Sequence, residues 1–233
     1  MMKPGISIIM LAYHEEENLK RVIPEIIESI NDLEYEYEII VVDTAVPTDD
    51  TQSVCEKYGA RYINQKSPGF GGALISGIDS VNYDRVLTLD SDGAHPPCVI
   101  PQIVKMHDTG RYDIVIGSRY VRGGGTNDPI TNILMSRLLN FTYALAFGLK
   151  AKDLSTNFRL YYTDDLKGLQ LECINYDVLQ EVLIRIKEKK GKLSIGETPI
   201  VLRKRMEGKS KRKLCEFIRS YIYTLFRLKR IVH

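Results

Sequence analysis

Residues 85–97 read Arg-Val-Leu-Thr-Leu-Asp-Ser-Asp-Gly-Ala-His-Pro-Pro, an apolar segment that runs directly into two carboxylates and a turn. Val86, Leu87 and Leu89 show little polar alternation, the pattern of a strand buried on both faces of a parallel sheet. In extended chain, residues i and i+2 share a side, so Asp90 and Asp92 can converge on one cation while Ser91 faces away. Hard oxygen donors favour Mg²⁺ or Mn²⁺, and an ion held by two side chains keeps positions open for a diphosphate. A solvated Asx turn would use the same residues, and for this stretch alone it is the more ordinary reading. A helix-loop-helix calcium loop is excluded, because Ala94, His95 and Pro101 stand where that pattern needs ligands and glycine.

Working outward, the same kind of apolar run recurs at Ile6–Leu11 and at Tyr37–Val42, the latter ending at Asp43. Shorter strands are expected at Arg61–Asn64 and Ile114–Ile116. Between them, Leu19, Val22, Ile23, Ile26, Ile27 and Ile30 fall at helical spacing, with Pro24 implying a kink or a late helix start. Further helices are expected near Thr51–Tyr58, from Ala73, and at Val99–His107. This alternation predicts an α/β fold with a mostly parallel central sheet flanked by helices, and places function at the carboxyl ends of the strands. Glu15, Asp43, Asp90, Asp92 and Arg119 then meet at one edge. Each alone is ordinary, since a strand-end Asp often caps a turn and an Arg often pairs with a surface carboxylate; their coincidence is the signal.

The glycines of Ser67–Gly72 (SPGFGG) fit neither a P-loop, lacking GK[ST], nor a dinucleotide fingerprint, and support only a turn in which the backbone closely approaches something. Beyond Gly123–Gly125 come a long helix at Ile130–Phe147, a strand at Phe158–Tyr162, a helix at Val178–Ile186 and a last strand at Leu193–Leu202, where Pro199 points to a sheet edge. No repeat or linker interrupts the chain, so residues 1–211 are expected to form one domain and 212–233 a tail.

The chain has 233 residues, 44% apolar and 27% charged, ordinary for a globular protein. Cys55, Cys98, Cys173 and Cys215 lie far apart, suggesting neither a zinc site nor a disulfide framework, and a reducing cytoplasm fits. No apolar run approaches the ~18 residues of a spanning helix. The net charge of +2 conceals a basic segment, Arg203–Arg230, with 11 Lys and Arg against Glu207 and Glu216. Within it Leu214, Phe217, Ile218, Tyr221, Ile222, Leu225 and Leu228 define one apolar stripe. A basic amphipathic helix of this kind suits the plane of an anionic membrane; a helix docked on the body is the competing reading.

LDSDGAHPP, IVIGSRYVRGGG, DLSTNFRLYY and RMEGKSK fall in the order and at roughly the spacing seen in dolichol-phosphate mannosyltransferases and bacterial polyprenyl-phosphate hexosyltransferases. From Ile6 to Lys211 the chain resembles that family. The resemblance implies a GT-A fold, an inverting displacement of a hexose from a nucleotide-diphosphate sugar to a polyprenyl or dolichyl phosphate, and bound Mg²⁺ or Mn²⁺. Together with the cysteine usage and the basic tail, the expectation is a cytoplasmic enzyme peripherally attached to the membrane, with delivery by an anchor subunit as the other route, and no nucleic-acid partner.

AYHEEENL is similar to the family's PTYNExENL. By that likeness Ala12, Tyr13 and Glu15, together with Val42, Asp43, Gly71, Ser91 and Lys211, would surround the nucleotide sugar. Asp90 and Asp92 would hold the metal. Arg119 and Arg205 would position donor diphosphate or acceptor phosphate, Ser136 would stand near the acceptor, and Asp153 would lie beside the reaction centre. Three positions depart from the family's pattern. Thr44 stands where a second acidic residue commonly meets the base, Ala94 where a Gln lies near the metal, and Asn132 where a basic residue precedes Ser136.

The chemistry is consistent with the residues themselves. Negative charge develops on the departing β-phosphate, where a metal would act. An acceptor phosphate is already an anion, so it needs positioning by cations more than a strong general base. A nucleotide-dependent oxidoreductase would leave the DxD pair unexplained, and the tail lacks the stacking platform of a nucleic-acid binder. A binding subunit that has lost turnover, or a related transferase with another acceptor, is the alternative that Thr44, Ala94 and Asn132 favour.

Overall fold

The computed structural model describes residues 2–203 and 214–232. Seven strands, β1 (Lys3–Leu11), β2 (Tyr37–Asp43), β3 (Arg61–Asn64), β4 (Tyr83–Asp90), β5 (Ile114–Ser118), β6 (Arg159–Tyr162) and β7 (Ile195–Pro199), form one sheet. Their order is β3-β2-β1-β4-β6-β5-β7. Every pairing is parallel except those of β6, which is antiparallel to both β4 and β5. The α/β, mostly parallel architecture expected from the sequence is therefore present.

The continuous apolar runs are explained by burial on both faces. On β1, Ile9 points into one core, shared with Val42 of β2 and Val86 of β4, while Ile6, Ile8 and Met10 point into the other, with Val41, Leu87 and Leu89. Register is tight: Ile8 lies opposite Ile39 on one side and Leu87 on the other. The second core is covered by α1 (Glu16–Asn31), α2 (Thr51–Tyr58) and α4 (Ile100–His107). The first is covered by α3 (Gly69–Asp79), α5 (Ile130–Phe147), α7 (Val178–Lys190) and α8 (Leu214–Val232), with the single-turn α6 (Thr163–Leu166) at its edge.

Three local expectations are refined. Helix α1 is already helical at Glu16, so Pro24 does not delay its start; the Glu16 N–H donates to Asp49 Oδ2 at 3.1 Å, which satisfies one of the orphan donors of the first turn. The last strand is shorter than expected, Ile195–Pro199, and lies at the sheet edge, where Pro199 costs no ladder bond. The close approach required by the SPGFGG glycines is to the chain itself. A methyl group at Gly71 would sit 1.9 Å from the Cys173 carbonyl oxygen, and its N–H donates to Ile174 O at 2.9 Å.

Helix α8 is docked on the body. Tyr221 and Leu228, from the stripe expected to face a membrane, are buried in the first core, and Leu225 is packed against it, whereas Ile222, Tyr223 and Phe226 face outward. The side chains of Leu214, Phe217 and Ile218, and the expected boundary at 211/212, lie outside the described residues. Among the described residues no helix is long and apolar enough to cross a membrane.

Candidate active site

Because β6 runs against its neighbours, its approach segment, residues 153–158, arrives at the same edge as the carboxyl ends of β1, β2, β3, β4 and β5. A cavity of about 910 Å³ opens there, lined among others by Ala12, Tyr13, Glu15, Asp90, Ser91, Asp92, Arg119 and Ser136. These predicted residues are brought together from β1, β4, β5 and α5.

Asp90 is held by a network that the motif did not announce. Its backbone N–H donates to His95 Nδ1 at 3.0 Å, and Asn157 Nδ2 donates to its Oδ1 at 3.2 Å. Since Nδ1 accepts, the hydrogen-bond pattern puts the ring proton of buried His95 on Nε2, which reaches Thr156 Oγ at 3.1 Å. The Phe158 N–H in turn donates to that hydroxyl at 3.2 Å. Ser91 spends its hydroxyl on the Leu11 carbonyl at 2.7 Å, tying the ends of β4 and β1. Asp92 Oδ1 accepts the Ala94 N–H at 3.0 Å, so the Asx turn is real and coexists with a carboxylate at the cavity wall.

The opposite charge is built from β5, α5 and the segment before β6. Arg119 forms a two-point pair with Asp153, Nε to Oδ2 and Nη2 to Oδ1, both at 2.7 Å. Its Nη2 also reaches Ser155 Oγ at 2.7 Å and Ser136 Oγ at 3.4 Å, and those two hydroxyls are 3.0 Å apart. Burial works against both charges. For Arg119 the hydrogen bonds and charge of Asp153 more than offset it, raising the guanidinium above its ordinary range, and Arg119 likewise brings the Asp153 carboxyl below the usual carboxylate range. Asp153 is wholly buried and does not line the cavity; it stands behind Arg119. Its N–H and that of Lys152 are fixed by Glu197 of β7, at 3.1 and 2.9 Å.

Other expectations shift by one residue or one layer. Val42 and Asp43 are buried and do not line the cavity, whereas Thr44 does. The Asp43 carboxylate accepts from the Thr44 N–H at 2.7 Å and from the Tyr62 hydroxyl at 3.0 Å. Gly71 packs on the 173–174 backbone, while Gly69 and Phe70 line the cavity. Glu15 lines the cavity and accepts from Asn18 Nδ2 at 2.5 Å. Asn132, at one of the family departures, also lines it. Arg205 and Lys211 lie outside the described residues. Gln65, Asn127, Asp128, Asn175 and Tyr176 are lining residues for which the sequence carried no motif.

A divalent ion fits this donor set. Two carboxylates face an open cavity, and among the described residues no Lys or Arg forms an ion pair with Asp90, whose nearest basic neighbour is His95 at 3.7 Å. Among those residues no cluster of three or more His, Cys, Asp or Glu surrounds a metal position. Asp90 and Asp92 would supply two hard ligands to such an ion, and a diphosphate and water would supply the rest, the usual arrangement for Mg²⁺.

The glycosyl transferase family 2 model matches residues 7–169. The chain is 33% identical to the dolichol-phosphate mannosyltransferase of Pyrococcus furiosus over 233 residues, 95% of this chain and 64% of that protein, so it spans less than two thirds of that relative. It is 29% identical to the undecaprenyl-phosphate mannosyltransferase of Micrococcus luteus over 88% of this chain and 86% of that one. Among solved structures, the glucosyl-3-phosphoglycerate synthase of Mycobacterium tuberculosis, in complex with Mn²⁺, uridine diphosphate and phosphoglyceric acid, superposes with a TM-score of 0.76 at 22% identity, covering 97% of this chain and 78% of that one. That likeness identifies the fold as GT-A-like. With seven strands in place and a family match across most of the chain, the protein belongs to glycosyl transferase family 2.

Proposed function

We propose that this protein transfers a hexose from a nucleotide-diphosphate sugar to a polyprenyl phosphate at a membrane surface, with inversion at the anomeric carbon. The observation that carries it is that a carboxylate pair and a buried, pre-positioned arginine line one cavity. An acceptor phosphate oxygen forms the new bond to the anomeric carbon as the bond to the β-phosphate oxygen breaks, and the nucleoside diphosphate leaves with the electron pair. A divalent ion, when bound by Asp90 and Asp92, would neutralise charge on that leaving group.

The remaining work belongs to the chain. Asp153 and Ser155 engage Nε and Nη2 of Arg119, while Nη1 makes no hydrogen bond to the described residues. Arg119 is thus oriented before the ligand arrives and keeps donors for a phosphate. Ser136 adds a hydroxyl on the same side, with Arg205 as a second cation for the acceptor and Lys211 for the donor. His95 and Asn157 fix the backbone and carboxylate of Asp90. Residues 1–211 with α8 are the proposed catalytic unit.

The surface of α5 supports a lipid acceptor. Ile130, Leu134, Leu138, Phe141 and Leu145 are 62 to 74% exposed. At about 100° per residue they occupy one strip roughly 80° wide, and Met135 and Leu139 continue it round to the cavity. An apolar chain attached to a phosphate at Ser136 has a path over Leu139 and Met135 to this strip. Exposed Arg219, Lys229 and Arg230 of α8 provide cations for an anionic leaflet, roughly 1 kcal/mol each near its surface.

The test is a panel of GDP- and UDP-sugars with Mn²⁺ and a short polyprenyl phosphate. Transfer is expected, with chelation abolishing it and Asp92→Asn reducing it by about a thousandfold while leaving thermal unfolding close to wild type. Tight nucleotide-sugar binding without transfer to any acceptor would favour the binding-subunit reading, which Asn132 and Ala94 support.

A further inference from the structure

The segment between α6 and α7 meets α8 at nearly every position from 172 to 177. Glu172 and Cys173 accept from Arg227, the latter at 3.0 Å through its Sγ. Asn175 Nδ2 lies 3.5 Å from Ser220 Oγ, the Tyr221 hydroxyl donates to the Tyr176 carbonyl at 3.3 Å, and the Thr224 hydroxyl donates to the Asp177 carboxylate. Buried Glu181 closes the cluster, accepting the Glu172 and Cys173 N–H groups at 3.0 and 2.8 Å and Arg227 Nη2 at 2.9 Å.

Asp177 shows where the bonding is directed. It occupies the N-cap of α7 but makes no side-chain cap bond, and its Oδ1 has no partner among the described residues. Its carboxylate is engaged by α8 instead. On its other side α8 receives the Tyr143 hydroxyl of α5 at the Tyr221 carbonyl, 2.6 Å. Helix α8 therefore bridges two elements that both face the cavity. Asn175 and Tyr176 line it from one, with Tyr176 against Phe70 at 4.4 Å, and Met135, Ser136 and Leu139 line it from the other.

We propose that α8 is a positioning element of the active site: by clamping residues 172–177 and α5 together it sets the gap in which the acceptor sits, with Arg227 and Thr224 as positioning residues. This rests on the assignment of the acceptor to Arg119 and Ser136. On the proposed placement of the nucleotide at the ends of β1, β2 and β3, where Tyr13, Thr44 and Gln65 line the cavity, the donor is away from α8, which packs on α5 and α7, so a loosened clamp acts on the acceptor.

The experiment uses full-length Thr224→Val, Arg227→Met and Arg227→Lys proteins. It measures acceptor KM and kcat with a ten-carbon isoprenyl phosphate, binding of nucleoside diphosphate with Mn²⁺ by calorimetry, and amide exchange of residues 172–177. Loss of a buried charged hydrogen bond should raise acceptor KM about tenfold. In the same proteins kcat and diphosphate affinity should hold, exchange at 172–177 should quicken, and Arg227→Lys should restore part of the loss. Faster exchange with unchanged acceptor KM, or an equal fall in diphosphate affinity, would overturn the proposal. If the wild-type protein uses a water-soluble phosphate in place of the isoprenyl one, the same comparison is made with that acceptor. The lipid assignment then fails separately from the clamp.

Discussion

Two buried histidines show how one residue type is put to opposite uses. His95 has both ring nitrogens engaged and holds Asp90 in place. His107, at the end of α4, is buried against Tyr162 at 4.2 Å, and neither ring nitrogen has a hydrogen-bond partner among the described residues. A helix C-terminus favours imidazolium by at most about 2 kcal/mol. Burial first, and the charge of Arg85 second, outweigh this and push the His107 pKa down to about 4. The folded protein thus keeps His107 neutral where the unfolded chain, near 6.5, takes up a proton. Stability from this group is fully present above pH 6.5 and is lost as pH falls from there to about 4. Urea unfolding should show a decline of up to about 3 kcal/mol across that window, and His107→Phe should flatten it. An unchanged slope in the variant would mean that other groups govern acid sensitivity. Neither histidine's role was legible in sequence: His95 sits in a recognisable motif, but its partner Thr156 comes from a segment 61 residues away.

At the scale of elements, α3 begins in glycines because backbone crosses it. Gly71→Ala should destabilise the protein by at least about 2 kcal/mol, since its methyl would meet the Cys173 carbonyl, which has no flexible end to yield. Unfolding midpoints would show it, and a neutral result would mean that the 173–174 backbone moves freely. The need for close approach at these glycines was readable, but its target was not, because 173–174 is tied to them only by the tertiary fold. The same division holds elsewhere. The ends of β2, α2, β3 and α5 fell where the sequence put them, since apolar runs and helical periodicity are local properties. The place of β6 between β4 and β5 is non-local, so the approach of residues 153–158 to the site could not be deduced from strand pattern. Asp153, expected beside the reaction centre, stands one layer behind the cavity wall, against Arg119, for the same reason: spacing says which residues are near, and burial decides which of them line the cavity.

At the scale of the whole molecule, the strip on α5 joins a lipid-sized exposed surface to an ionic cavity. Full-length protein should float with anionic vesicles, less so at high salt, and Leu134→Glu/Phe141→Glu should abolish flotation without changing hydrolysis of the donor by water. Flotation that survives both substitutions would transfer the membrane contact to the outward face of α8, and absence of flotation in the wild type would make the strip a protein-binding surface. The insertion of antiparallel β6 has a consequence for how such an enzyme can diversify. One short stretch, 153–157, carries the carboxylate that aligns Arg119, the amide that holds Asp90 and the hydroxyl that holds His95. A substitution there perturbs the Asp90 and Arg119 sides of the cavity together, so the stretch has little room to drift. If the acceptor lies where we propose, variation that changes it while sparing the Asp90 and Arg119 sides enters through α5 and the 172–177 segment, and these are the positions at which related chains would part company in what they glycosylate.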